Sequence, residues 1–363
     1  MKILVLTSRY TATRDIIGED FGRQTRLFEA LRKFGHEIDF FCVDYRKFEN
    51  KNTKLHGINV FIKPFSIFYF FKFIDNLNKI LKNEKYDLVI ATSDPLWGVF
   101  GYYYSKKYSI KFLYDLHDNY ETYLTYRIPF FGLIDKRIIK KADIVTAVSD
   151  SLRKKFSNIR KEKFFVVENG ADLDLFKPKN KLECRKRLKL PLNAKIIAYA
   201  GTLQRMQGTH LLIEAFDILK NDIGDLYLAL AGRIRKARGE KLELDKEGIM
   251  WLKELNQKGV VDLINAADVA VVPNTSNEFT RYCFPYKIIE YMACNAKIVA
   301  TKVGDVAKIT PKDSLCEPDD VDSLAEKIRL KIDSKEKTSY RKIAKKYTWS
   351  NAARKLDRII KNN

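Results

Sequence analysis

Lys287 and Glu290 place a cation and a carboxylate one helical turn apart, inside the run Phe284-Pro285-Tyr286-Lys287-Ile288-Ile289-Glu290-Tyr291-Met292-Ala293. Pro285 fits the start of a helix, where its missing N–H would have no partner anyway. Helix N-termini carry unpaired N–H groups and about half a positive charge. Lys287 adds a full charge to that end, and Glu290 falls beneath it on the same face. A cationic helix mouth with a carboxylate just inside suits a nucleotide sugar. The N–H groups would meet the diphosphate, and Glu290 would accept from the ribose hydroxyls. The same residues also fit an ordinary surface helix with an i,i+3 ion pair, so the rest of the chain has to decide.

A second candidate is the loop Gly201-Thr202-Leu203-Gln204-Arg205-Met206-Gln207-Gly208. It follows the strand-like run Ile196–Ala200, and its two glycines permit close backbone approach. Arg205 suits phosphate oxygens through its fork, and with Lys287 it is expected to converge on one diphosphate. The loop is neither of the common glycine-rich phosphate motifs. A third candidate is His117, in Asp115-Leu116-His117-Asp118, directly after another strand-like run. Flanking carboxylates are expected to fix its tautomer and favour a positive charge.

The elements that would hold these residues alternate. Apolar strand-like runs at Ile3–Leu6, 37–43, Leu88–Ala91, 111–114, 144–148 and 164–167 are separated by helix-like stretches such as 23–34, which Gly35 terminates. The pattern restarts at Ile196 and continues through 226–231, 269–273 and 298–301. Such alternation predicts an α/β protein with doubly wound parallel sheets, whose ligands sit beyond the carboxyl ends of strands. The expected organisation is a first domain over 1–172, a charged linker over 173–193, a second domain over 194–343 and a last helical stretch over 344–363.

Residues 65–85 break the alternation. On a helical wheel Ile67, Phe70, Phe71, Ile74, Leu77 and Leu81 form one apolar face. Phe68, Tyr69 and Phe73 fall off it among Lys72 and Lys79. Between Tyr126 and Lys141, Phe130, Phe131, Leu133 and Ile134 run into Lys136, Arg137, Lys140 and Lys141. Aromatics among lysines suit an anionic bilayer interface, and Phe68, Tyr69, Lys72, Phe73, Lys136, Arg137 and Lys140 are the expected acceptor or membrane contacts. An aromatic core helix beside a solvated basic helix is the plainer alternative.

Net charge is +21, spread as +10 over residues 1–170 and +11 over the remainder. Even spreading argues against a basic arm, and no helix-turn-helix, RNP or zinc pattern accompanies it, so nucleic acid is not an expected partner. The five cysteines show no CxxC spacing, and no metal site is expected. No run is long and apolar enough for a membrane span, and Met1–Thr7 reads as a strand rather than a signal peptide. A cytoplasmic protein, peripheral on the membrane at most, is the expectation.

Seven short stretches resemble the retaining GT-B enzymes of glycosyltransferase family 4. They are Gly35-His36-Glu37-Ile38, Asp115–Asp118, Ala142–Ser149, Val167–Asp172 with Phe176-Lys177-Pro178, Ala200–Leu203, Ile264–Val269 and Glu290–Cys294, in family order. The resemblance implies two Rossmann-like domains facing a central cleft. The second binds a nucleotide-sugar donor and the first a glycan or lipid-linked acceptor. The last helix returns to the first domain. The implied reaction is hexosyl transfer with retention, without metal or cofactor, in the biosynthesis of cell-surface glycan, polysaccharide or glycoprotein. Carried over by position, His117 lies beside the sugar, Glu290 holds the ribose and Gly18 approaches the diphosphate. Donor contacts are expected from Gly18, Gly201, Thr202, Gln207, Pro285, Tyr286, Ile288 and Glu290, with His117, Arg205 and Lys287 as the catalytic set. The chain departs from the family's Glu-x7-Glu pair, because Tyr282 replaces the first carboxylate, and reads Pro-x-Lys-x-x-Glu-Tyr-Met-Ala instead. Thr202 and Gln207 stand where an Arg and a Lys are usual, and Asn295 where a glycine is. A sugar-nucleotide epimerase on the same fold, or an inactive partner of another transferase, are the alternative readings.

Overall fold

The computed structural model describes residues 1–11, 14–235, 242–335 and 338–363. They form two compact units, residues 1–170 with 349–363, and residues 171–348. Each is a Rossmann-like α/β layer structure.

The first unit contains, in chain order, β1 (Lys2–Ser8), α1 (Arg23–Arg32), β2 (Glu37–Asp44), β3 (Lys51–Leu55), β4 (Ile58–Pro64), α2 (Phe70–Asn83), β5 (Leu88–Ala91), α3 (Pro95–Lys107), β6 (Lys111–Leu116), α4 (Phe131–Lys141), β7 (Ile144–Ala147), α5 (Asp150–Lys155) and β8 (Phe164–Val166). The sheet order is β8-β7-β6-β5-β1-β2-β4-β3, parallel except for the β3–β4 hairpin. Continuous apolar runs make the central strands, because helices cover both faces, whereas the edge hairpin β3–β4 is polar or alternating. Right-handed crossovers place α2 to α5 on one face and α1 on the other. Gly98 lets α3 lie on β6, since a Cβ there would sit 2.5 Å from the Tyr114 ring.

The second unit contains α6 (Lys181–Leu188), β9 (Lys195–Ala200), α7 (Thr209–Asp222), β10 (Leu226–Ala231), β11 (Ile249–Trp251), α8 (Gln257–Ala266), β12 (Val269–Val272), α9 (Tyr286–Ala293), β13 (Ile298–Thr301), β14 (Leu315–Cys316) and α10 (Val321–Asp333). Its sheet is wholly parallel, in the order β11-β10-β9-β12-β13-β14. Strand order reverses between β9 and β12, the position where open α/β sheets take ligands. The stretch read as a linker is instead a built part of this unit. Within it α6 packs on α8, and the buried Arg185 donates to the Ala266 carbonyl (3.0 Å) and to Asp268 (2.9 Å). Its charges mark ion pairs rather than a solvated connection. Residues 344–348 also stay with the second unit.

The chain then returns to the first unit through α11 (Trp349–Asn362), which packs on α1. Leu356, Ile359 and Ile360 join Leu27 and Leu31 in one core. His36 Nε2 lies 2.8 Å from Asp357, and Lys355 2.9 Å from Glu168.

The helical wheel of α2 is rotated from the one expected. Phe73, Leu77 and Leu81 face the core, with Phe73 edge-on to Phe41 and Phe65 at 5.4 and 5.0 Å. Ile67 and Phe71, expected inside, are exposed. Ile67 precedes the first helical turn, so the wheel does not govern it. Phe73 is therefore not an interface residue. Tyr69 stacks on Phe48 at 5.8 Å, and Lys136 is held by Glu121 at 3.0 Å.

A carboxyl of α4, that of Asp135, lies wholly inside the first unit. Asp135 of α4 accepts from the Tyr114 hydroxyl at 2.6 Å and from that of Tyr126. Burial pushes its carboxyl up to about 6, against the pull of the two phenols. A carboxyl raised above its unfolded value destabilises the fold as pH climbs from about 4 to 6, and the cost stands in full above that window. Asp135→Asn is expected to stabilise the protein at pH 7.5 by up to about 3 kcal/mol. The gap from the unmodified protein should shrink below pH 4, as read by denaturant unfolding at several pH values.

Candidate functional site

In the second unit the carboxyl ends of β9 and β12 are stitched together. Gly208, at φ +74°, approaches so closely that a Cβ would lie 1.6 Å from the Pro273 carbonyl oxygen. Thr275 Oγ1 and Asn277 Nδ2 both donate to the Met206 carbonyl at 3.0 Å. The loop after β9 and the segment leading to α9 therefore form one surface. Pro285 stands just before the first helical residue, with extended backbone, and α9 runs from Tyr286.

Lys287 reaches across this surface. Its Nζ donates to Gln207 Oε1 (2.9 Å) and to the Tyr199 hydroxyl (3.0 Å), and lies 4.5 Å from the Tyr199 ring centre. A Cβ on Gly201 would meet Nζ at 3.0 Å, so the glycine leaves the ammonium open to the loop. Tyr199 is fixed by donating to the Thr202 carbonyl at 2.9 Å, and Tyr291 accepts from the Ala200 amide at 2.9 Å. Burial lowers the Lys287 ammonium to about 8, against the attraction of Glu290. Among the described residues no carboxylate lies within ion-pair distance of Nζ. Its partners are neutral, which leaves the charge for an incoming anion.

The other expected donor residues divide. Gly201, Gln207 and Lys287 come together, and Thr202 supplies the carbonyl that orients Tyr199. Glu290 is half-buried on α9 and Tyr286 opens that helix. The expected convergence of Arg205 with Lys287 is not seen. Arg205 points to solvent and makes no ion pair among the described residues. The Ile288 side chain is fully buried in the core and cannot touch a ligand. The family's glycine position is filled by Asn295 at φ +58°. Asparagine tolerates this left-handed geometry through local hydrogen bonds, and here its Nδ2 donates to the Thr338 carbonyl at 2.5 Å.

In the first unit strand order reverses between β1 and β5. Ser93, after β5, adopts φ +75°, and its hydroxyl accepts from the Ser8 amide at 2.6 Å. The Ser93 N–H in turn donates to His117 Nδ1 at 3.1 Å. This puts the ring proton on Nε2, since a doubly protonated ring would aim an N–H at the Ser93 amide. The expectation that carboxylates set the tautomer is corrected. Asp115 is instead taken by Arg23 (2.9 and 3.1 Å), Thr146 (2.7 Å) and Thr92 (3.0 Å). Asp118 lies 3.3 Å from Nε2 without hydrogen-bond geometry. Gly18 is exposed in the loop before α1, its amide donating to Asp15 at 3.0 Å.

Sequence reading did not single out Tyr199, Ser93 or Arg23. Thr92-Ser93-Asp94-Pro95 carried a usable signal for Ser93, a strand end running into an Asp cap and a Pro at the first helical position. Asp94 indeed caps α3. Among the described residues no group of three His, Cys, Asp or Glu side chains is arranged to hold a metal ion, and no helix is long and apolar enough to cross a membrane.

Comparison with known proteins fits this arrangement. The family model for glycosyl transferases group 1 matches residues 180–362, and that for glycosyltransferase family 4 matches residues 25–175. The lipopolysaccharide 1,2-N-acetylglucosaminetransferase of Salmonella typhimurium is 25% identical over 54% of this chain and 56% of its own length. The D-inositol 3-phosphate glycosyltransferase of Corynebacterium urealyticum is 23% identical over 63% of this chain and 59% of its own. The chain thus spans little more than half the length of these curated relatives. Among solved structures, sucrose-phosphate synthase from Thermosynechococcus elongatus superposes with a TM-score of 0.78 at 18% identity, covering 99% of this chain and 98% of its own. Anabaena HepE in complex with UDP gives 0.78 at 19%, covering both chains completely. At such identities these structures speak for the fold alone, which is GT-B.

Proposed function

Because the chain belongs to the group 1 glycosyl transferases, we propose that it moves a glycosyl group from a nucleotide sugar to a hydroxyl acceptor. The observation that carries this reading is the Lys287 ammonium, held by neutral partners beside Gly201 at a switch in strand order. No carboxylate of the described residues pairs with it, so the charge is left for an anion from outside. In the proposed reaction the bond between the anomeric carbon and the diphosphate oxygen breaks, and a new one forms to the acceptor oxygen. The acceptor proton passes to the departing diphosphate, which leaves as a nucleoside diphosphate. Lys287 and the α9 N–H groups stabilise the charge that grows on it, and Glu290 takes the ribose hydroxyls. The role assigned to His117, with its proton on Nε2, is that of a hydrogen-bond donor to the transferred sugar.

The finer reading is hexosyl transfer with retention and without metal, by an enzyme of the Pro-x-Lys-x-x-Glu-Tyr-Met-Ala subgroup. The acceptor is a glycan or lipid-linked glycan of the cell surface. The name of the lipopolysaccharide enzyme supports the acceptor class, whereas that of the D-inositol 3-phosphate glycosyltransferase points to a small phosphorylated polyol. HepE was solved with UDP and with UDP-glucose, which makes uridine the first base to try.

A thermal-shift panel of UDP, GDP, ADP and CDP and their sugars tests the donor site. One base is expected to stabilise the protein by about 2.7 kcal/mol at a hundredfold excess over Kd, with the same shift in EDTA. No shift with any nucleotide would remove the proposal. The anomeric configuration of the product, read by NMR, tests retention.

A further inference from the structure

Six large side chains of the first unit, Ile67, Phe68, Phe71, Leu124, Phe130 and Leu133, are 68–92% exposed. Singly such residues need no explanation, but these are grouped. The first three flank the start of α2, and the others flank the start of α4. Both segments leave the carboxyl ends of parallel strands, β4 and β6, on the same sheet face. The intervening helix α3 joins them: its Phe100 lies 6.2 Å from the Phe70 ring, and its other side packs on α4. Lys72 and Arg127 stand in the same two segments, and Arg137 and Lys140 lie further along α4; their side chains make no ion pair among the described residues. Neighbouring cations behave differently: Lys79 is paired with Asp75, Lys106 with Asp143 and Lys136 with Glu121.

We infer that this edge docks on an anionic lipid bilayer. The apolar tips enter the headgroup boundary, and the four unpaired cations meet lipid phosphates. The occupant follows from the charge: exposed apolar tips on segments that also carry free cations complement a surface that is apolar inside and negative at its rim. His117 lies at this same carboxyl edge of the sheet. Docking therefore brings a lipid-anchored acceptor to the histidine side of the unit, a consequence that rests on the transferase reading. The docking itself does not rest on it.

Flotation of the full chain with phosphatidylcholine vesicles, with and without 30% phosphatidylglycerol, tests the inference. Binding to the anionic vesicles is expected to be at least about tenfold tighter and to weaken with added salt. The combined variant Phe68→Ser, Phe71→Ser, Phe130→Ser and Leu133→Ser should lose at least about tenfold in binding, while keeping its nucleotide-induced thermal shift. Should that variant fail to fold, Lys72→Ala with Arg137→Ala, which disturbs no packing, should lose about fivefold per cation removed. No binding at low salt, or variants that bind as the parent does, would overturn the inference. A dimer that the serine variant converts to monomer would overturn it too, by assigning the edge to a second copy. Vesicle failure with the nucleotide shift intact sinks the docking alone. Loss of the nucleotide shift in the unmodified protein sinks the donor reading alone.

Discussion

Lys287→Ala is expected to lower kcat by about 10²- to 10³-fold, the scale of removing one charge-stabilising donor from a closed site, without lowering thermal stability at pH 7. The two halves share one cause. The ammonium is packed against Tyr199 and Gln207 with no carboxylate of the described residues in ion-pair contact, so burial holds it at about 8. A lysine depressed below its unfolded value of about 10.4 carries a cost that is fully present below pH 8. Between pH 8 and 10.4 the unfolded chain holds more protons than the folded one, so this cost disappears as pH rises. Lys287→Met, which keeps the packing, should therefore match or exceed the parent in melting temperature at pH 7, with the difference fading towards pH 10. Activity runs the other way. Only the protonated amine stabilises a leaving diphosphate, so kcat/KM should fall as pH rises through about 8. A bound diphosphate favours the ammonium, so the limb in kcat should lie higher. Turnover by Lys287→Ala equal to the parent's would remove the residue from the mechanism.

What sequence could show follows from how local each feature is. Buried parallel strands read as unbroken apolar runs, so most sheet strands were visible along the chain, while β3, β4, β11 and β14, which are short, polar or alternating, were not. Lys287 and Glu290 share one helix, and a three-residue spacing fixes their common face. The partners of Lys287 are not local. Tyr199 and Gln207 lie some 80 residues or more upstream, and only pairing of β9 with β12 brings them close. Arg205 looked like the natural second cation by type, but the turn before Gly208 aims it at solvent. Ile288 was carried along with its neighbours, yet one residue on a helix is about 100° of rotation, enough to turn it into the core. The aromatic run at 67–73 failed for a related reason. A wheel needs a known helix start, and this mostly aromatic stretch offers no capping residue to mark one. Phe73 went inside, while Ile67 and Phe71 stayed out.

Arg23→Ala should be the most destabilising single change on the polar side of the first unit. Arg23 is about 1% exposed, and its guanidinium grips both oxygens of Asp115 while a third nitrogen reaches Asn169 at 3.2 Å. Burial alone would push the Asp115 carboxyl up. Arg23 and Thr146 outweigh it and hold the carboxylate below its ordinary range. Removing the arginine leaves that charge buried with only hydroxyls, at a cost of about 3–5 kcal/mol, or on the order of 10 °C in melting temperature. The double change Arg23→Met with Asp115→Asn should recover much of this, because burying neither charge is cheaper than burying one. The readout that separates support from function is His117. Tyr120 donates to the Asp115 carbonyl at 2.9 Å, and its oxygen lies 3.0 Å from His117 Nδ1. Loosening Asp115 therefore displaces the ring that the proposal sets against the sugar. The double variant should thus regain its melting temperature yet keep a kcat deficit larger than any change in the donor's KM. Full recovery of both would reduce the pair to a fastening for α1.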